Sequence, residues 1–206
     1  WLRPYATFEK VELKNGPDVN NISYGSFFGT DSPLKELSHG WESMWNVYFG
    51  YNGSHQSYDG VSMYQNGGSL GASQMWYKGD FFTGLTFSAG ASTGTADTKY
   101  GTDDLTMWMA GVASKTGYNW ELFDGKFIIQ PSYMMSYSFI KNLDYTNAAG
   151  VRVSTDGLNA IHFEPGLKFI GNLKNGWQPY AGISFVWNAM DKTQYWANDV
   201  HLPGTS

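Results

Sequence analysis

The sequence predicts an all-β chain folded as an antiparallel transmembrane β-barrel of the outer-membrane type. Three observations predict it. Long segments alternate large apolar residues with small or polar ones, which is the period of a strand with one oily and one wet face. The clearest segment, Phe127 to Phe139, has roughly the length that a tilted strand needs to cross a bilayer, about 9–11 residues, and aromatic residues end its oily face where membrane–water interfaces place them. From the fourth segment on, short connections alternate with long ones, as turns at one rim of a barrel and loops at the other do.

The run from Phe127 to Phe139 carries the pattern most openly. Phe127, Ile129, Tyr133, Met135, Tyr137 and Phe139 take one face, and Gln130, Ser132, Ser136 and Ser138 take the other. Eight further segments repeat it. About Trp1 to Glu12 sets Leu2, Pro4, Ala6 and Phe8 against Arg3, Tyr5, Thr7 and Glu9. About Asn21 to Thr30 sets Ile22, Tyr24 and Phe28 against Ser23, Gly25 and Gly29. About Glu42 to Ser54 sets Trp45, Val47, Phe49 and Tyr51 against Asn46, Gly50 and Asn52.

The fourth segment, about Ser62 to Tyr77, is the least regular. About Phe81 to Ser92 opposes Phe81, Leu85 and Phe87 to Gly84, Thr86, Ser88 and Gly90. About Leu105 to Asn119 opposes Trp108, Ala110, Val112 and Tyr118 to Gly111, Lys115 and Gly117. Next after the Phe127 segment, about Asn159 to Ile170 opposes Ile161, Phe163, Pro165, Leu167 and Phe169 to His162, Glu164, Gly166 and Lys168. About Trp177 to Asn188 opposes Trp177, Ala181, Ile183, Phe185 and Trp187 to Gln178, Gly182, Ser184 and Asn188.

Short connections are expected at Lys78-Gly79-Asp80, at Leu122 to Lys126 and at Asn172 to Gly176, all rich in turn formers. Long polar ones are expected from Thr93 to Asp104, from Asn142 to Gly157 and after Met190. The connection from Asp31 to Gly40 is longer than this rule asks of the short side. A soluble β-sandwich also alternates, but its strands are usually about 5–6 residues, roughly half the length of these.

Composition agrees. Charged residues are 15% of the 206, aromatic residues 17%, and glycine contributes 25. Average chains carry about 25% charge. No window holds about 18 consecutive apolar residues, so no transmembrane helix is expected. The mean hydropathy of -0.37 suits a wall whose strands are half polar. A net charge of -5 argues against a nucleic-acid partner, which needs a basic surface. With no cysteine, disulfides, thiol catalysis and most structural zinc sites are excluded.

One domain over residues 1–206 is the expectation. Bacterial single-chain barrels have even strand counts, and an open sheet in lipid leaves edge N–H and C=O groups unpaired. Nine staves therefore predict an incomplete piece lacking C-terminal strands, or a tenth stave within Gln194 to Ser206. Trp1 is no initiator, so a processed or excised piece is expected.

The wet faces place Arg3, Glu9, Asp31, Lys115, His162, Glu164 and Lys168 toward a lumen. Both signs occur, which lets them pair across the lumen or set the electrostatics of a hydrated pore. His162 and Glu164 share a face like half a metal site, but no third ligand is visible, and structural pairing is the better reading. The oily faces place Phe49, Phe87, Trp108, Tyr133, Phe163, Leu167, Phe185 and Trp187 toward lipid.

Catalysis has little support. Of the histidines His39, His55, His162 and His201, only His55 could join Asp59 and Asp103 at a rim, and no G-x-S-x-G elbow occurs. Gly67-Gly68-Ser69-Leu70-Gly71 lacks the lysine and helix of a phosphate loop, and close packing or bending explains glycines in barrel strands better. No catalytic residue, metal or cofactor is assigned, and the chain is read as a non-enzyme.

Several segments in succession resemble the β-domain, or translocator, of bacterial autotransporters in type V secretion. They are Tyr24 to Asp31, Ala110 to Tyr118, Gln130-Pro131 with Tyr137-Ser138, Tyr145-Thr146-Asn147 through Gly150 to Val153, and Gln178-Pro179-Tyr180. Their order and spacing match over most of residues 1–190. The resemblance implies a twelve-stranded barrel in the bacterial outer membrane and a lumenal helix leading to an exported passenger domain of the same parent chain. It also implies outer-membrane lipid and the barrel-assembly machinery as partners. A stand-alone pore or adhesin-type barrel whose long loops bind an extracellular ligand is the alternative, and a membrane-embedded hydrolase a third reading.

Overall fold

A computed structural model describes residues 1–11, 18–58, 60–173, 176–190, 195–198 and 200–202. Nine long strands follow one another in space in their chain order. They are β1 (Leu2–Val11), β2 (Val19–Asp31), β3 (Glu42–Tyr58), β4 (Val61–Lys78) and β5 (Phe81–Thr98). Then come β6 (Gly101–Tyr118, continued by Trp120–Leu122), β7 (Phe127–Asn142), β8 (Leu158–Gly171) and β9 (Tyr180–Ser184 with Trp187–Met190).

All eight ladders are antiparallel, and none shifts register along its length. Cross-strand partners share a face, so each strand's alternation adds to its neighbour's. One face of the whole sheet is apolar and the other polar. The sheet curls like half a barrel. Its exposed large side chains, such as Phe49, Phe87 and Trp108, lie on the apolar, convex face, whereas buried Phe82, Ser92, Ala96 and Ala160 lie on the polar, concave one.

Proline explains both interruptions. β9 keeps one register with β8 across its gap, since Gly166 faces Ser184 and Phe163 faces Trp187. Phe185 N–H donates to the Pro165 carbonyl at 3.0 Å. Pro165 has no N–H to return, so the ladder thins there. Pro131 does the same to β6. Gly117 faces Ser132 and Trp120 faces Ile129 in a single register, and Pro131 falls opposite Tyr118. At that break Gln130 Nε2 donates to Asn119 Oδ1 at 2.7 Å.

The Thr93 to Asp104 segment corrects the sequence reading. It is no long loop: β5 and β6 run on to Thr98 and Gly101, and only Lys99 and Tyr100 join them. β3 likewise passes Ser54 and ends at Tyr58. At 17–18 residues, strands β3 to β6 exceed the roughly 9–11 of a membrane crossing. In β5 the excess is polar or small on both faces. In β5 the outward run ends at Ala91, and Thr93, Thr95 and Asp97 follow. Period-2 patterning marks a strand only where one face is oily, so a two-sided polar strand reads as loop.

At that rim the long connections make a second sheet. Tyr145–Thr146, Arg152–Thr155, Tyr195–Ala197 and Val200–Leu202 form four antiparallel strands in chain order. Among the described residues of Gln194 to Ser206, the alternative of a tenth stave is not met, because Tyr195–Ala197 pairs with Arg152–Thr155 rather than with β9. Asp103 Oδ1 accepts Ala148 N–H at 2.6 Å and ties this sheet to β6. Arg152 also pairs with Asp144 at 3.3 Å.

At the opposite rim the turns are tight. Phe123, Asp124 and Gly125 all take positive φ (54°, 55° and 76°) between β6 and β7, a left-handed run that glycine and aspartate tolerate best. The long Asp31 to Gly40 connection holds a two-residue strand, Lys35–Glu36, pairing with β3, and a 3₁₀ turn, Ser38–Gly40.

Candidate functional site: the polar face and its wall

The concave face is built by glycine and serine from most strands. Bulky residues do occur on it, and five of them lie against a glycine. Tyr5 faces Gly25, Phe27 faces Gly50, Tyr48 faces Gly71, Met75 faces Gly84 and Phe82 faces Gly117. In every pair the glycine is the direct partner on the next strand, and a Cβ there would collide with the bulky side chain. Tyr5 also stacks on Phe27 (centroids 5.6 Å apart), and Phe27 meets Tyr48 edge-on at 5.9 Å. The five pairs join β1 through β6, so one oblique belt lies against the wall. Sequence reading missed this belt. The only signal for it was glycine recurring on the wet face.

The seven charged or polar residues assigned to the wet faces all fall on this face by register. Three come together. Lys115, Glu164 and Lys168 line one cavity of about 400 Å³ with Gln130, Ser132 and Ser184. The Lys168 ammonium lies 4.4 Å over the Tyr180 ring, a cation–π contact. His162 does not pair with Glu164; its ring nitrogen Nδ1 bonds Asn188 Oδ1 on β9. No group of three metal-ligating side chains forms among the described residues.

Arg3, Glu9 and Asp31 sit far round the curl on β1 and β2. Glu9 Oε2 accepts from Asn21 Nδ2 at 3.1 Å, and Asp31 Oδ1 from Trp1 Nε1 at 3.0 Å.

The eight apolar assignments, Phe49, Phe87, Trp108, Tyr133, Phe163, Leu167, Phe185 and Trp187, all fall on the convex face. Phe185 and Trp187 are 72% and 70% exposed. Soluble monomers rarely expose a contiguous apolar patch above a few hundred Å², and this one covers a whole side of the sheet. The rim residues considered for catalysis are not assembled. His55 stacks on Tyr64 at 4.2 Å on the convex face, Asp103 belongs to the concave one, and Asp59 lies outside the described residues.

Comparison with known proteins places this wall. The family model of the autotransporter beta-domain matches residues 1–205. The transport unit of the autotransporter AIDA-I from Escherichia coli superposes with a TM-score of 0.77 at 14% identity, covering 100% of this chain and 75% of that one. The beta domain of the Bordetella autotransporter BrkA gives 0.69 at 19% identity, covering 96% and 82%. The translocator domain of NalP from Neisseria meningitidis gives 0.59 at 13% identity, covering 95% and 79%. No curated protein sequence matches the chain. With a match over nearly the whole chain, the protein belongs to the autotransporter β-domain family, the bacterial outer-membrane translocators through which type V secretion exports a passenger.

Proposed function

We propose that the concave face lines the path of the passenger and that the convex face meets outer-membrane lipid. In this reading Arg3, Glu9, Asp31, Lys115, His162, Glu164 and Lys168 hydrate the channel, and the eight convex apolar residues anchor it. The domain works by conduction and anchoring rather than by catalysis. Its partners are a passenger of the same parent chain and the barrel-assembly machinery that inserts it. One observation carries the reading: eight ladders without a register slip keep every strand's oily face on the same side. A single one-residue slip would turn a whole strand inside out.

The absence of native cysteine makes the test clean. Single Cys substitutions at Ser136 and Ser184 should react with a membrane-impermeant maleimide in folded barrel. Ala110→Cys and Val112→Cys should resist it and react with a lipid-soluble reagent. Equal labelling at the two sets would sink the assignment of faces.

A further inference from the structure

We propose that the convex face carries a binding site for a phosphorylated glycolipid, on strands β3 to β7 where the wall leaves the apolar band. The inference rests on that face meeting lipid.

Two grooves meet there. The lower one, about 460 Å³, is floored by Gly68, Ala89 and Ala91 and walled by Phe49, Leu70 and Trp108. It lies within the oily band and has the shape that an acyl chain fills. The upper one, about 450 Å³, is lined by Tyr64, Asn66, Thr93, Thr95, Asp104 and Thr106. Register makes them one channel. The row Gly68–Ala91–Trp108 is followed two residues up by the row Asn66–Thr93–Thr106, a step of about 7 Å along the strands.

The upper groove is rich in hydroxyl, amide and carboxylate groups. Each threonine hydroxyl both donates and accepts, the amide does both, and Asp104 accepts only. That set suits a ligand with many hydroxyls rather than a small polar headgroup. Lys141 on β7 supplies the charge. It is the direct cross-strand partner of Trp108, stands on the same convex face and is exposed. No ion pair to it occurs among the described residues. An ammonium at the boundary of the oily band is placed to bind a phosphate.

Lys141 and Asp104 lie one strand and four residues apart, a span of about 14 Å that a disaccharide can bridge. A single occupant must then be apolar below, anionic beside Lys141 and polyhydroxylated above. A phosphorylated glycolipid meets all three demands, and a phospholipid meets only the first two.

The test is native mass spectrometry of folded barrel released from vesicles. One set of vesicles contains a disaccharide glycolipid whose phosphate and acyl chains sit on one sugar and whose other sugar is unsubstituted, a second phosphatidylglycerol, a third only phosphatidylcholine. Wild-type barrel should retain one glycolipid. Lys141→Glu and Thr93→Phe should each cut retention by about tenfold while leaving heat-modifiable migration intact.

Equal retention of phosphatidylglycerol, no retention of glycolipid, or indifference of folded Lys141→Glu and Thr93→Phe barrels would each overturn the site. The Ala110→Cys protein is labelled in the same vesicles. If it stays shielded from the aqueous reagent while glycolipid binding fails, only the site falls; if it labels from water, the reading beneath it falls as well.

Discussion

The Phe27 ring on β2 lies across Gly50 on β3, its direct cross-strand partner, so closely that an added Cβ would sit 2.6 Å from the ring. Such a separation is below any real carbon–carbon contact, and the glycine is what lets the ring lie flat. Gly50→Val should lift Phe27 into the interior and strain the β2–β3 ladder. Overpacking of this kind costs about 1–3 kcal/mol, to be read from chemical denaturation in vesicles. Gly50→Val with Phe27→Ala should recover only the part of the loss that comes from the ring, because the added Cβ would also sit 2.6 Å from Ser69 Oγ.

Phe163 and Gly166 stand three residues apart on β8 and point to opposite faces. Phe163→Arg should cost about 2–4 kcal/mol if the site lies near the bilayer midplane. Gly166→Arg should fold with a smaller loss and narrow the interior, which conductance in planar bilayers would register. A Phe163→Arg barrel as stable as one changed at the loop residue Asp156 would contradict the face assignment.

Pro165 accepts from Phe185 N–H and returns nothing. Pro165→Ala should restore the missing half of that pair. The new amide at position 165 should then be protected from hydrogen exchange like its ladder neighbours. A net hydrogen bond contributes about 0.5–1.5 kcal/mol, against about 0.4–1 kcal/mol lost through a freer unfolded chain. Stability should therefore change little while protection appears. A rapidly exchanging amide at 165 would show that β9 is not bonded there.

Asp103 holds the rim sheet through Ala148 N–H. Asp103→Ala should release the turn at Asn147 to Gly150, at a cost of about 1 kcal/mol. Limited proteolysis of intact cells should then cut within that turn sooner than in the wild type, with the barrel core left intact.

Much of the wall was legible because it is local. Alternation in β8, from Ile161 to Phe169, names both faces of that strand without reference to any other. The nine staves, the tight turns at Gly79 and Gly125, and the faces of all fifteen assigned residues follow from that period. The hairpin tips were not legible, because Thr93 to Asp104 is polar on both faces and leaves no period to read. Sequence proximity pairs His162 with Glu164, yet its partner Asn188 comes from the next strand, 26 positions away.

What the sequence by itself determined is the side of the wall on which each residue stands. A strand alternates whatever its neighbours do, and lipid and water then choose the face. What only the tertiary structure decided is which residues meet across strands. Tyr48 on Gly71, the rim sheet of two distant loops, and the two grooves that meet beside Trp108 all depend on the stagger between strands. Stagger is a property of pairs: it is set by hydrogen-bond register between segments, and no single segment encodes it.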